Sequence, residues 1–145
     1  MKPRLLVVDD EPPILVAISA YFRACGYEVD CAHSRAEAEI HLNRVHSAEY
    51  AGVISDLRLA HEDDGGLQVL NLARQRHPVT CRILLTAYGS REMESAARNC
   101  GAHAFLPKPQ PLAALAQVLV DFREFREFKV TDDQGVGAFL RWRVQ

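Results

Sequence analysis

The sequence predicts an α/β domain built on a doubly wound, five-stranded parallel sheet with helices on both faces, followed by a C-terminal extension. Three observations predict it. Short apolar segments alternate with segments of helical spacing, five times over. The apolar segments are continuous rather than alternating, which marks strands buried on both faces. Glycines, prolines and capping residues fall between them. Right-handed crossovers then give a three-layer sandwich.

Leu5-Leu6-Val7-Val8 is the first strand, and it stops at Asp9-Asp10-Glu11. Pro12-Pro13 opens a helix, since proline is tolerated in a first turn. Ile14, Ile18, Tyr21 and Phe22 keep helical spacing until Gly26. Tyr27 to Ala32 reads as the second strand. Ser34 and Glu37 form a capping box for a helix running to about His46. Tyr50 to Ser55 is the third strand and ends at Asp56. A polar loop, Arg58 to Gly66, leads to a helix over Leu67 to Arg76, closed by His77-Pro78. Cys81 to Leu85 is the fourth strand, ending at Thr86. Ser90 caps a helix with Met93, Ala96, Ala97 and Cys100 on one face, and Gly101 ends it. His103 to Leu106 is the fifth strand. Pro107-Lys108-Pro109 breaks the chain, and Pro111 starts a helix with a Leu112, Leu115, Ala116, Leu119 stripe.

The 145 residues suit one domain, and 48% hydrophobic with 25% charged is an ordinary globular composition. A chain of this length buries roughly two thirds of its unfolded surface, so it folds without disulfide or metal. A net charge of −2 supplies no basic face, and nucleic-acid binding is not expected. The four cysteines form no C-x-x-C pair and read as buried free thiols in a reducing compartment. Met1-Lys2-Pro3-Arg4 runs straight into a short strand, unlike a signal peptide, and no apolar run nears the ~20 residues that cross a bilayer. The expected location is cytoplasmic. The six histidines show no ligand spacing, and no glycine-rich phosphate loop is present.

Chemistry concentrates at the strand ends. In a doubly wound sheet, functional groups gather at the carboxyl ends of the strands. The first strand ends in Asp9 and Asp10, the third in Asp56 and the fourth in Thr86, while Lys108 follows the fifth. Three carboxylates on one rim repel each other and call for a cation. An all-oxygen site of few carboxylates suits Mg²⁺, which keeps waters and accepts phosphate oxygens. A carboxylate beside such an ion can attack phosphorus and become an aspartyl phosphate. The ion and Lys108 would neutralise the transferring phosphoryl oxygens, and the Thr86 hydroxyl would donate a hydrogen bond to them.

These residues make the chain resemble the receiver domain of two-component response regulators, over about residues 3 to 120. The resemblance rests on Val-Val-Asp9-Asp10-Glu, Asp56 after an apolar strand, Thr86-Ala87, and Gly101-Ala102-x-x-Phe105-Leu106-x-Lys108-Pro109. It implies a flavodoxin-like sheet of order 2-1-3-4-5. It implies that a sensor histidine kinase or phosphotransfer protein phosphorylates Asp56. It makes Asp10, Asp56 and the Arg58 backbone carbonyl direct Mg²⁺ ligands, with Asp9 acting mostly through water. Thr86 and Phe105 match a switch pair that alters the partner affinity of the face formed by the fourth helix, fifth strand and fifth helix. The loop after Asp56 departs from the family's Met-Pro, two variable residues, Asp-Gly. It reads Leu59-Ala60-His61-Glu62-Asp63-Asp64-Gly65-Gly66, without proline and one residue longer. Arg58 and Tyr88 stand where the family tunes dephosphorylation. Both are bulky, which predicts a long-lived phosphoryl state.

The expected division is a receiver over residues 1–122 and an extension over 123–145. Phe122, Phe125 and Phe128 lengthen the last helix, and alternation from Ala138 to Gln145 reads as a strand that could pair with Phe128 to Thr131 in a hairpin. Such a hairpin could cover the receiver, mediate a homodimer or begin a lost output domain, and it is too short to be a DNA-binding output domain. The favoured reading is a stand-alone receiver acting through protein contacts, promoting only its own phosphorylation and dephosphorylation. Its rivals are a phosphorylation-independent interaction module, opposed by the intact acidic and basic set, and a phosphate-ester hydrolase. Arg58 stands where such hydrolases often place a second aspartate.

Overall fold

The computed structural model describes residues 2–44, 49–87 and 89–131, with side chains to residue 124. The elements are β1 (Arg4–Val8), α1 (Pro12–Ala24), β2 (Glu28–Ala32), α2 (Arg35–Asn43) and β3 (Gly52–Asp56). They continue with α3 (Gly65–Arg76), β4 (Cys81–Thr86), α4 (Arg91–Asn99), β5 (Ala104–Pro107) and α5 (Leu112–Thr131). Within the sheet the five strands pair in parallel, in the order β2-β1-β3-β4-β5, which is the expected topology.

Strand alternation divides the core into two layers. Leu5, Val7, Ile54, Ile83, Leu85 and Leu106 meet α1 and α5, with Ile18, Phe22, Leu115 and Leu119 among the helical partners. Leu6, Val8, Val53, Leu84 and Phe105 face the other way and pack with Leu42, Val69, Leu70 and Ala97 of the remaining helices. β1, β3, β4 and β5 therefore present apolar residues to both layers, which explains their largely apolar reading, whereas the edge strand β2 carries Glu28 and Asp30 among its five residues.

Ser34 caps α2 as expected, its hydroxyl accepting from the Glu37 N–H at 3.2 Å. The Glu37 carboxylate, however, accepts from the N–H of His33, one residue before the cap, at 2.8 Å rather than from that of Ser34. Ser90 accepts from the Met93 N–H at 3.1 Å. Prolines occupy the first positions of α1, and Gly26 leaves it at a φ of 97°. Lys108–Pro109 is a cis peptide.

Some expectations shift. α2 ends at Asn43, and His46 lies outside the described residues. β5 runs one residue later than expected. The cysteines are free, but only Cys81 is buried; Cys25 is exposed, and Cys31 and Cys100 are half-buried. α5 continues through Thr131, so 128–131 is helical rather than a strand: its three-residue aromatic spacing outweighs the short β-prone stretch. The second strand expected over 138–145 lies outside the described residues. No described helix is long and apolar enough to cross a membrane.

Candidate functional site at the carboxyl rim of the sheet

The rim is assembled from strand ends. Asp9 leaves β1 with its N–H bonded to the Ala32 carbonyl, and its side chain is almost wholly buried. One carboxylate oxygen accepts from the Glu11 N–H at 2.9 Å, and the other accepts from Lys108 at 2.9 Å. Asp56 is the last residue of β3 and is also buried. Its Oδ2 accepts from the Lys108 ammonium at 3.1 Å. Lys108 is fixed by its backbone, whose N–H donates to the Thr86 carbonyl at 2.8 Å, beyond the last β4–β5 pair. Asp10 accepts from the Ala60 N–H at 2.8 Å.

One carboxylate oxygen from each of Asp9, Asp10 and Asp56 falls in a group whose members all lie within 4.8 Å of one another. Two of these carboxylates, Asp9 and Asp56, are buried, and the Lys108 ammonium bonds both. Burial pushes the Asp56 carboxyl above the ordinary range; Lys108 opposes the shift, while Asp9 and Asp10 add to it. Burial alone would lower the Lys108 pKa, but its bonds to Asp9 and Asp56 together hold it above the ordinary value. Excess negative charge on oxygen-only donors is the environment that fits a hard divalent cation such as Mg²⁺.

Asp10, Asp56, Arg58, Thr86 and Lys108 line one cleft of about 250 Å³. Thr86 is buried at the end of β4. Phe105 is buried in the second core layer, and both its ring and the Thr86 methyl stand beside Gly89. A Cβ placed there would lie 3.3 Å from the ring and 3.6 Å from the methyl. The Arg58 guanidinium is exposed and pairs with Asp63 at 3.2 Å. The structure thus brings Asp9, Asp10, Asp56, Arg58, Thr86 and Lys108 to one rim; Tyr88 lies outside the described residues.

Sequence reasoning missed two parts of the rim. Gly66, in the first turn of α3, lies so close to β3 that an added Cβ would sit 2.2 Å from the Asp56 carbonyl oxygen. Only the glycine itself signalled it. The Ala60 N–H contact with Asp10 had no positive signal, because alanine does not announce a left-handed backbone.

The model of the response regulator receiver domain matches residues 5–120. The transcriptional regulatory protein GlrR of Escherichia coli is 36% identical over 143 residues, covering 98% of this chain and 29% of that protein. The photosynthetic apparatus regulatory protein RegA of Cereibacter sphaeroides is 39% identical over 106 residues, covering 72% of this chain and 54% of that protein. The chain thus spans between about a third and about a half of these relatives, and the expectation of a receiver acting alone draws no support from them. Among solved structures, a CheY-like receiver domain protein from Methanospirillum hungatei aligns with a TM-score of 0.79 at 25% identity. That alignment covers 89% of this chain and 99% of the other. Matched along most of its length, and carrying its polar residues on the rim where five parallel strands end, the chain belongs to the response regulator receiver domain family.

Proposed function

We propose that this protein is a phosphorylation-driven switch in which Asp56 accepts a phosphoryl group from a sensor histidine kinase or a phosphotransfer protein. Phosphorylation and Mg²⁺ binding are general properties of the family. The observation that carries the assignment to these residues is the group of Asp9, Asp10 and Asp56 oxygens, with the Lys108 ammonium bonded to two of the three carboxylates. In the transfer, an Asp56 carboxylate oxygen forms the new P–O bond as the P–N bond to the donor imidazole breaks. The electron pair stays with that ring nitrogen. Asp10, Asp56 and the Arg58 carbonyl would hold Mg²⁺, with Asp9 acting through water. The bound ion would offset charge on the phosphoryl oxygens.

Lys108 neutralises the phosphoryl oxygens from the β5 side, and Thr86 donates its hydroxyl to them. The movement of Thr86 is passed to Phe105 through their shared position at Gly89, and so to the face of α4, β5 and α5. An apolar groove of about 330 Å³, lined by Pro13, Ile14, Ile18, Leu112 and Leu115, opens beside the rim and offers the phosphodonor protein a surface. The output is a change in protein affinity rather than turnover of a separate substrate, and the expected setting is the cytoplasm.

The test is incubation with Mg²⁺ and acetyl phosphate, followed by intact mass measurement. One added phosphoryl group, absent in Asp56→Asn and in EDTA, is the expected result. An unmodified wild-type protein overturns the assignment.

A further inference from the structure

Ala60 has a φ of 55° and is the sole non-glycine residue in the left-handed region among the described residues. A side chain with a Cβ is disfavoured there, so the surrounding contacts must enforce it. Two sets of contacts do so. Leu59 and Glu62 exchange both backbone hydrogen bonds, at 3.0 and 2.9 Å, and Leu59 is buried in the core. The Glu62 carboxylate accepts from Arg35 Nε at 2.7 Å, at the start of α2, and Arg35 also donates to Glu39 at 2.6 Å. The turn is therefore pinned inward by Leu59 and sideways by Arg35. Its result is an Ala60 N–H aimed at Asp10 Oδ2 from 2.8 Å.

The three rim carboxylates are held unequally. Asp9 has two donors, Glu11 N–H and Lys108, and Asp56 has Lys108. Among the described residues, the Asp10 side chain receives only the Ala60 amide. That bond occupies one oxygen and leaves the other free to face a cation. Donors of this kind orient a metal-binding side chain before the metal arrives, and removing one typically weakens metal affinity about tenfold or more.

We propose that the backbone N–H of Ala60 is a positioning group for Asp10, and that the Glu62–Arg35 pair tethers the turn that aims it. The β3–α3 loop of this chain thereby sets the affinity of the rim for a divalent cation. The inference rests on the reading of the rim as a Mg²⁺ site.

The test replaces Ala60 by its α-hydroxy analogue through semisynthesis, so that the N–H becomes an ester oxygen while the methyl stays. Mg²⁺ affinity is read by calorimetry, without phosphorylation. The ester protein should bind Mg²⁺ about tenfold more weakly than the wild type. Ala60→Gly keeps the N–H and should bind like the wild type, while Glu62→Gln should lose severalfold. Affinity of the ester protein within about twofold of the wild type overturns the inference, as does an Ala60→Gly variant as weak as the ester. Asp10→Asn serves as the control. If the wild type binds no Mg²⁺, or Asp10→Asn binds it equally well, the Mg²⁺ reading falls too; wild-type binding with an unaffected ester strikes the positioning role alone.

Discussion

The Lys108 ammonium stands 3.1 Å from Asp56 Oδ2, although 52 positions separate the two residues in the chain. The contact is made by fixing the Lys108 backbone to Thr86 and letting a long side chain cross the rim to β3. In Lys108→Ala the three carboxylates face one another unopposed. Phosphorylation by acetyl phosphate should slow about 10²-fold. In EDTA, stability should fall by about 1–3 kcal/mol. Urea melts and intact mass time courses measure the two effects. An unchanged phosphorylation rate would remove Lys108 from the chemistry.

Asp56→Asn should have the opposite effect on stability. The folded carboxyl titrates above its ordinary value because burial penalises the anion. Near neutral pH the ionised native state carries that penalty, which the unfolded chain does not. Asparagine lifts it, and metal-free protein should gain on the order of 1 kcal/mol, or roughly 2–4 °C in Tm. On the proposed reading of the rim as a Mg²⁺ site, the gain should shrink when Mg²⁺ is added. Calorimetric scans with and without Mg²⁺ check both halves.

His103 should govern part of the acid sensitivity. Its ring lies against Phe122 with centroids 4.6 Å apart, and its Nδ1 accepts from the Arg82 N–H at 3.1 Å. Burial first, and the Arg82 charge second, push its pKa down to about 3. Between that value and the ordinary value of 6.5, the unfolded chain binds a proton that the native state refuses. The contribution is intact above about pH 6.5 and is lost as pH falls towards 3, by up to about 1.4 kcal/mol per pH unit. His103→Asn should flatten stability against pH across that window. Parallel slopes for wild type and variant would exclude the histidine.

Arg58 lines the cleft with Asp56 while its guanidinium is tethered to Asp63. A bulky side chain there impedes the water that hydrolyses an acyl phosphate. The phosphorylated protein should persist for minutes or longer, and Arg58→Ala should shorten that lifetime severalfold. Loss of label after removal of the phosphodonor gives the rate. A wild-type half-life of seconds contradicts the expectation.

Gly66→Ala should damage fold and chemistry together. Its Cβ would meet the Asp56 carbonyl oxygen at 2.2 Å and the Leu57 Cα at 2.8 Å, both backbone atoms. Either α3 or the end of β3 must move, at a cost of about 1–3 kcal/mol. Since Asp56 rides on that strand end, phosphorylation should fall with stability.

The fold was legible because its signals are local. Continuous apolar strands, two serine caps and the proline and glycine boundaries each report on a few neighbouring positions, and all agree. The rim was legible because a parallel sheet carries its strand ends to one edge. Contacts between distant segments were not. Arg82 interrupts an apolar strand, yet it is buried, with its guanidinium bonded to the carbonyls of Gly101 at 2.6 Å and Thr80 at 3.1 Å. The Tyr50 hydroxyl donates to Asp30 at 2.6 Å, and Arg4 pairs with the same Asp30 at 3.0 Å. Such pairings depend on which strands become neighbours, and no periodicity encodes that. His103 looked like one histidine among six until its ring was placed between Arg82 and Phe122.

The Gly26 turn between α1 and β2 lies at the end of the sheet opposite the acidic rim. It has a positive φ, and a Cβ there would meet nothing within 4 Å. Foreign sequence spliced at this corner so as to keep Gly26 and the Tyr27 N–H bond to the Phe22 carbonyl would project into empty space, away from the rim. A fluorescent reporter or an affinity handle grafted there would follow the domain through its signalling cycle as a silent passenger.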